Sequence, residues 1–167
     1  MALELRNLTG NGVKNISFQA HRGEVLGISG LVGAGRSEIM RGIFGADKLK
    51  SGTVSIHGKP IHSGSPADAI AKGIGFATED RKKEGLMLRL SILLNSTIVK
   101  LPQLSNAGVI DRKAQSGDAD KYVTAMRTKT PTITQLVGNL SGGNQQKVVL
   151  AKWLTMNPDI LIVDEPT

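Results

Sequence analysis

Apolar residues fall in short alternating or continuous runs at Leu3 to Leu8, Val13 to Phe18, Glu24 to Ser29, Thr53 to His57, Ile74 to Ala77 and Asp159 to Val163, each bounded by Gly, Pro, Asn or Asp. Such runs predict strands. A helical period instead marks Ser37 to Phe44, Pro66 to Lys72, Lys113 to Met126 and Gly143 to Met156, with Pro66 near the start of its helix. Strands and helices alternate in both halves. Ile160 to Val163 is wholly aliphatic, as expected of a parallel strand covered on both faces, so the pattern predicts an α/β fold with a three-layer core. Between about residues 86 and 140 the strand signal fades and Pro102 and Pro131 interrupt polar sequence, which predicts a mostly helical insertion. No internal repeat or low-complexity segment stands out. The charged cluster Glu79 to Glu84 mixes both signs and reads as a solvated loop.

Composition narrows the classes without choosing one. A chain of 167 residues fits one domain with a sizeable core, and 40% hydrophobic with 21% charged residues excludes disordered, collagen-like and coiled-coil chains. Aromatics make up 3%, so aliphatic side chains must fill the interior. A net charge of +7 invites an acidic partner: nucleic acid, an anionic membrane surface or a polyphosphate. The absence of cysteine rules out disulfides, thiolate metal sites and cysteine nucleophiles. The N-terminal MALELRNLTG lacks the apolar stretch of a signal peptide and no run is long enough to cross a bilayer, so the expected location is cytosolic, or at a membrane through a partner.

Three segments carry candidate chemistry. Gly30-Leu31-Val32-Gly33-Ala34-Gly35-Arg36-Ser37 follows a predicted strand and opens a predicted helix, the setting a phosphate-binding loop requires. Its glycines let backbone N–H groups converge on phosphate oxygens at the positive end of the helix, and the Ser37 hydroxyl suits magnesium. Read without a ligand, the segment is a glycine-rich strand-to-helix turn. Ile160-Leu161-Ile162-Val163-Asp164-Glu165-Pro166-Thr167 delivers two carboxylates at the end of an aliphatic strand, where Asp164 suits magnesium and Glu165 suits polarising an attacking water. Its bland alternative is an acidic surface turn. Leu140-Ser141-Gly142-Gly143-Asn144-Gln145-Gln146-Lys147 reads either as a helix capped by Ser141 or as a second anion-binding helix end.

GLVGAGRS, LSGGNQQK and ILIVDEPT, in that order, resemble the Walker A, signature and Walker B motifs of ABC transporter ATP-binding domains. GEVLGISGLVGAGRSE, FATEDRKKEGL and LSGGNQQKV are most similar to the second ATPase half of tandem carbohydrate importers of the ribose, xylose and galactose type, and the resemblance covers nearly the whole chain. It implies a three-layer P-loop NTPase core with an N-terminal antiparallel β portion and a helical subdomain at about 86–140. Residues 1–167 would form one nucleotide-binding domain, incomplete at the C-terminus, with ATP and Mg2+ as cofactors. Gly30, Leu31, Val32, Gly33, Ala34, Gly35, Arg36, Ser37 and Glu38 would hold the nucleotide, with Ser37, Asp164 and Glu79 at the metal and Glu165 catalytic. Ser141, Gly142, Gly143 and Gln145 would serve a nucleotide held by a second ABC ATPase half paired head to tail. Transmembrane permease subunits, and indirectly a periplasmic or extracellular sugar-binding protein, complete the implied partners. The implied place is the inner face of the cell membrane, with no nucleic acid bound.

The sequence also departs from that family's pattern. Arg36 stands where lysine is usual; its guanidinium is planar and forked where ammonium is a compact point charge, so binding should survive better than turnover. Glu79 stands where a glutamine is usual, and no aromatic occurs in Thr9 to Lys14 to stack on a base. No switch histidine follows Thr167, and His21, His57 and His62 all precede Walker B and read as surface residues. The expectation is a fragment of a longer enzyme, truncated after Walker B, with little turnover alone. Two alternatives stay open: a non-hydrolysing regulatory half that lends its signature to a catalytic partner, and a soluble nucleic-acid-associated ABC protein prompted by the charge and by Arg81-Lys82-Lys83.

Overall fold

Asn11 and Gly12 both take left-handed backbone angles (φ 38° and 84°), the turn geometry whose twist matches a two-residue hairpin. They fold β1 (Leu3–Gly10) back against β2 (Val13–Ala20), with Leu3 opposite Ala20 and Leu5 opposite Phe18. His57 and Gly58 (φ 50° and 76°) do the same for β3 (Ser51–Ile56) and β4 (Lys59–Ile61). β1 also pairs antiparallel with β3, which completes a four-stranded sheet in the order β2-β1-β3-β4. Period-two alternation sends Leu3, Leu5, Val54 and Ile56 to one buried set, and Leu8 is buried beyond a register shift in β1, each worth about 2 kcal/mol as an upper bound.

The computed structural model describes residues 1–31, 33–62 and 64–165 and divides into two compact units, residues 1–76 and 77–167. The sheet belongs to the first, with α1 (Arg36–Ile43) and α2 (Pro66–Ala71). α1 buries Ile39 and Ile43, and Phe44 behind it meets Phe76 ring to ring at 5.4 Å. α2 starts where sequence reasoning expects: Pro66 stands in its first turn and the Ser65 hydroxyl accepts the Asp68 N–H at 3.2 Å. β5 (Ile74–Ala77) is buried throughout.

The predicted strand Glu24 to Ser29 does not form. Val25 is 97% and Leu26 41% exposed, and among the described residues no strand pairs with this run. An apolar run has a strand's propensity, but a ladder and a face to cover are what hold it extended. Glu24 turns back instead, its carboxylate accepting the His21 N–H at 2.6 Å, a bond that keeps this carboxyl below its ordinary pKa.

The second unit is built on α3 (Ile92–Thr97), α4 (Arg112–Ala125) and α5 (Gly142–Leu154), which pack on one another. α3 and α4 are capped by Ser91 and Asp111, whose side chains accept the Leu94 and Ala114 N–H groups. α5 buries Val148, Val149, Ala151 and Trp153. Polar bonds lock the three helices together: Thr155 Oγ1 donates to the Ser96 carbonyl, Tyr122 to the Leu154 carbonyl, and Gln115 Nε2 to Thr97 Oγ1. Between α3 and α4 a small hairpin, β6 (Ser105–Asn106) and β7 (Val109–Ile110), turns on left-handed Ala107 and Gly108. β8 (Ile160–Val163) ends the unit. Only Ile162 of its four residues is fully buried, so this strand is not covered on both faces as its composition suggests; cover comes from neighbours, not from the run itself. Among the described residues no helix is long and apolar enough to cross a membrane.

Candidate nucleotide-binding and signature segments

In the first unit, Gly33 and Gly35 take left-handed angles (φ 80° and 86°) on either side of Ala34, whose N–H returns to the Leu31 carbonyl at 3.0 Å. This is a coiled turn that a side chain at 33 or 35 would strain. Gly35 is also packed: a Cβ there would stand 3.2 Å from Val13 Cγ2. Gly35 is the N-cap of α1 and no side chain caps the helix, whose positive N-terminal end therefore suits an anion. The Arg36 stem folds back across the loop, its Cδ 3.7 Å from where a Gly30 Cβ would be. Gly30, Leu31, Gly33 and Ala34 are exposed, Ser37 and Glu38 half-buried, and Val32 lies outside the described residues. The backbone turn, open amides and cation fit a polyphosphate, and the Ser37 hydroxyl is an oxygen donor of the kind magnesium takes.

In the second unit, Ser141 is the N-cap of α5, but its hydroxyl makes no bond to the helix amides. It instead accepts Asn144 Nδ2 at 3.1 Å, while Asn144 Oδ1 accepts the Lys129 N–H at 3.0 Å. The hydroxyl is therefore aimed by Asn144, and the first-turn amides stay uncapped beside the exposed Gly143. Gln145 behaves differently: it is 4% exposed and its Nε2 serves the Val137 and Leu140 carbonyls at 3.3 and 3.2 Å. That side chain ties the chain entering α5 to the helix and is turned away from any ligand at the helix end.

Asp164 follows β8 with its N–H on the Ala77 carbonyl at 2.9 Å and its carboxyl buried. Glu165 is exposed in a left-handed conformation (φ 44°), which costs a non-glycine residue about 1 kcal/mol. Pro166 and Thr167 lie outside the described residues. Glu79 is exposed just beyond β5 and lines an open cleft with Asp80, Arg81 and Lys82. Among the described residues no three acidic or imidazole side chains cluster as a metal cage.

The cluster Glu79 to Glu84 is solvated, as its mixed charge suggests, with all but Arg81 exposed, yet its backbone is regular. Residues Arg81–Gly85 form one π-type turn, started by Asp80, whose carboxylate accepts the Lys82 and Lys83 N–H groups. Those bonds, led by the Lys83 amide, hold the Asp80 carboxyl below its ordinary pKa. The turn is fastened to α5 by Lys152, whose Nζ donates to the Gly85 carbonyl at 2.7 Å and lies 4.8 Å from the Trp153 ring centroid. Nothing at the level of sequence marked Lys152, because its partner lies 67 residues away.

Burial pushes the Lys152 ammonium down to about 8 from 10.5. The unfolded chain holds this proton to about pH 10.5, whereas the folded chain releases it near 8. Between those values the unfolded state binds more protons, so stability climbs as pH rises, and below about 8 the full cost of the buried charge is present. The gain across the window is about 3 kcal/mol. Urea unfolding of wild type and Lys152→Met at pH 8 and pH 10.5 checks this: the wild type should gain that amount relative to the variant, and parallel pH profiles would refute it.

A glycine turn that leads its amides into a helix, and an acidic pair at the end of an aliphatic strand, are the two parts of a P-loop NTPase. The fold agrees. A dimeric bacterial ABC transporter cassette matches with a TM-score of 0.84 over 99% of this chain and 74% of that one at 24% identity. An ATP-binding cassette in a post-hydrolysis state bound to ADP and Pi matches at 0.83 over the same shares and identity. The sequence profile of the ABC transporter family matches residues 13–167, and the chain belongs to that family. It is 50% identical over 167 residues to the ribose import ATP-binding protein RbsA of Lactococcus lactis subsp. cremoris, covering all of this chain and 34% of that protein. It is 49% identical over 156 residues to the xylose import ATP-binding protein XylG of Thermoanaerobacter pseudethanolicus, covering 93% of this chain and 31% of that protein. The chain thus spans about a third of the length of these curated relatives.

Proposed function

We propose that this chain is the ATP-binding part of a carbohydrate importer, holding MgATP at residues 30–38 and presenting Ser141, Gly142 and Gly143 to the nucleotide of a second ATPase half. The observation that carries the reading is the turn of Gly33 and Gly35 into an uncapped α1, with the Arg36 stem laid across it. Ser37, Asp164 and Glu79 would face the magnesium ion. Bound magnesium supplies charge neutralisation of the phosphates; Glu165 would orient a water and take its proton. The importer's permease, and through it a sugar-binding protein, would place the chain on the inner face of the membrane. Similarity to ribose and xylose import proteins supports a sugar as cargo.

Arginine at 36 keeps the attraction for phosphate while displacing the charge from the point a lysine would occupy, so binding outlasts turnover. The segment Thr9 to Lys14 forms the β1–β2 turn and carries no aromatic, so the base adds little to affinity. Titration of the chain with MgATP should show saturable binding, with MgGTP within about threefold because no ring stacks on the base. Arg36→Ala should weaken both about tenfold or more, the value of a charge-assisted phosphate contact. Binding that ignores Arg36 would remove this assignment of the loop.

A second reading, a regulatory half that hydrolyses nothing itself, draws support from the contrast between an orderly, amide-exposing signature turn and a phosphate loop carrying Arg36.

A further inference from the structure

The Arg81 guanidinium sits at the first turn of α5. Nη1 donates to Gln146 Oε1 at 3.3 Å, and Nη2 occupies the space in which a Cβ on Gly142 would stand, 2.8 Å from it. Its Nε is buried and finds no hydrogen-bond partner among the described residues. Two features make this placement adverse for stability alone. A buried N–H without an acceptor opposes folding, and a cation at a helix N-terminus faces the positive end of the helix dipole. The second is relieved when negative charge approaches the same turn.

The rest of the turn explains how Arg81 is kept there. Asp80 fixes the start of the turn, Gly85 lies close enough to Val149 that a Cβ would stand 3.2 Å from its Cγ2, and Lys152 holds the Gly85 carbonyl. Residues 81–85 are therefore fastened along α5 at its first turn, its middle and its last turns. Glu79, two residues ahead of Arg81, accepts the Arg81 N–H on its carbonyl at 3.0 Å.

We propose that Arg81 is a positioning residue for the signature turn: seated between Gly142 and Gln146, its guanidinium holds the first turn of α5 so that Ser141, Gly142 and Gly143 meet the partner's nucleotide in register. A side chain at Gly142 would push the guanidinium out of this seat, since its Cβ would stand 2.8 Å from Nη2. The inference rests on the signature role proposed above and adds the group that sets its geometry.

The test uses the assembled importer, with Arg81→Met, which keeps the stem and removes the guanidinium, Arg81→Lys and Ser141→Arg. Arg81→Met should lower kcat about tenfold, the effect of a small misplacement, with KM for ATP within about twofold. Arg81→Lys should recover to about threefold below wild type, since one ammonium can serve Gln146 or fill the space at Gly142 but not both. In the same protein, amide exchange of residues 142–146 should rise about tenfold in Arg81→Met while Val148 to Trp153 keep their protection. If Ser141→Arg abolishes turnover while Arg81→Met leaves kcat and exchange unchanged, the Arg81 proposal is overturned and the signature role stands. If Ser141→Arg also leaves turnover unchanged, the signature role itself fails. Loss of protection along all of α5 in Arg81→Met would make Arg81 a plain stability residue and overturn the proposal as well.

Discussion

Ser141→Arg in the assembled importer is expected to lower ATP turnover about 100-fold, the usual loss when a preorganised donor to a developing phosphate charge is removed. Ser141 is exposed, and its hydroxyl is oriented by Asn144, itself fixed on the Lys129 amide. Arginine removes that oriented hydroxyl, breaks the Asn144 bond and places bulk over the exposed Gly143. ATP affinity measured on this chain alone should not change, because the glycine loop belongs to the other unit. On the reading in which Arg36 limits the site on this chain, Glu165→Gln in the same importer is expected to cost no more than about threefold. Equal losses from both substitutions would show instead that this chain turns over its own nucleotide. Steady-state phosphate release with matched expression decides between these outcomes.

Asn95→Ala is expected to be the most destabilising single truncation of a polar side chain in the second unit. Asn95 is 1% exposed on α3, and its amide closes the loop from Met87 to Ser91. Oδ1 accepts the Met87 N–H at 2.8 Å, while Nδ2 donates to the carbonyls of Met87 and Ser91, both at 3.0 Å. Alanine leaves these backbone groups buried without partners, a loss of about 3 kcal/mol. For a chain of this size that corresponds to a thermal midpoint lower by about 10 °C. Asn95→Asp should be worse, because a carboxylate cannot donate to two carbonyls and brings a buried charge. A midpoint shift under 3 °C for Asn95→Ala would mean that water replaces the amide and that the loop is less closed than its bonds indicate.

Much of the local backbone at the candidate segments was legible in the sequence. The glycine spacing of residues 30–37, the placement of Ser141 at a helix start and the acidic pair after an aliphatic strand are local patterns, and their local conformations follow from residue type: glycine where φ is positive, a small polar residue at an N-cap, carboxylates where a strand leaves its sheet. The same locality explains why the edges of β1, β5, α1 and α5 fall within a residue or two of where hydropathy places them. Where the reading went astray, the deciding neighbour was remote. Glu24 to Ser29 has a strand's pattern but no partner among the described residues, so Val25 stays 97% exposed. Gln145 looks like a signature contact by position, yet two carbonyls behind it draw its amide inward.

The sequence by itself determined the family and the two segments proposed to meet phosphate, because their motifs and local turns depend on residue type over short stretches. Tertiary structure alone decided that a mixed-charge stretch becomes the turn Arg81–Gly85, since Arg81 meets Gln146 across 65 positions and Lys152 meets Gly85 across 67. A buried cation's environment depends on what packs against it, and no local period records which distant carbonyl or amide that will be.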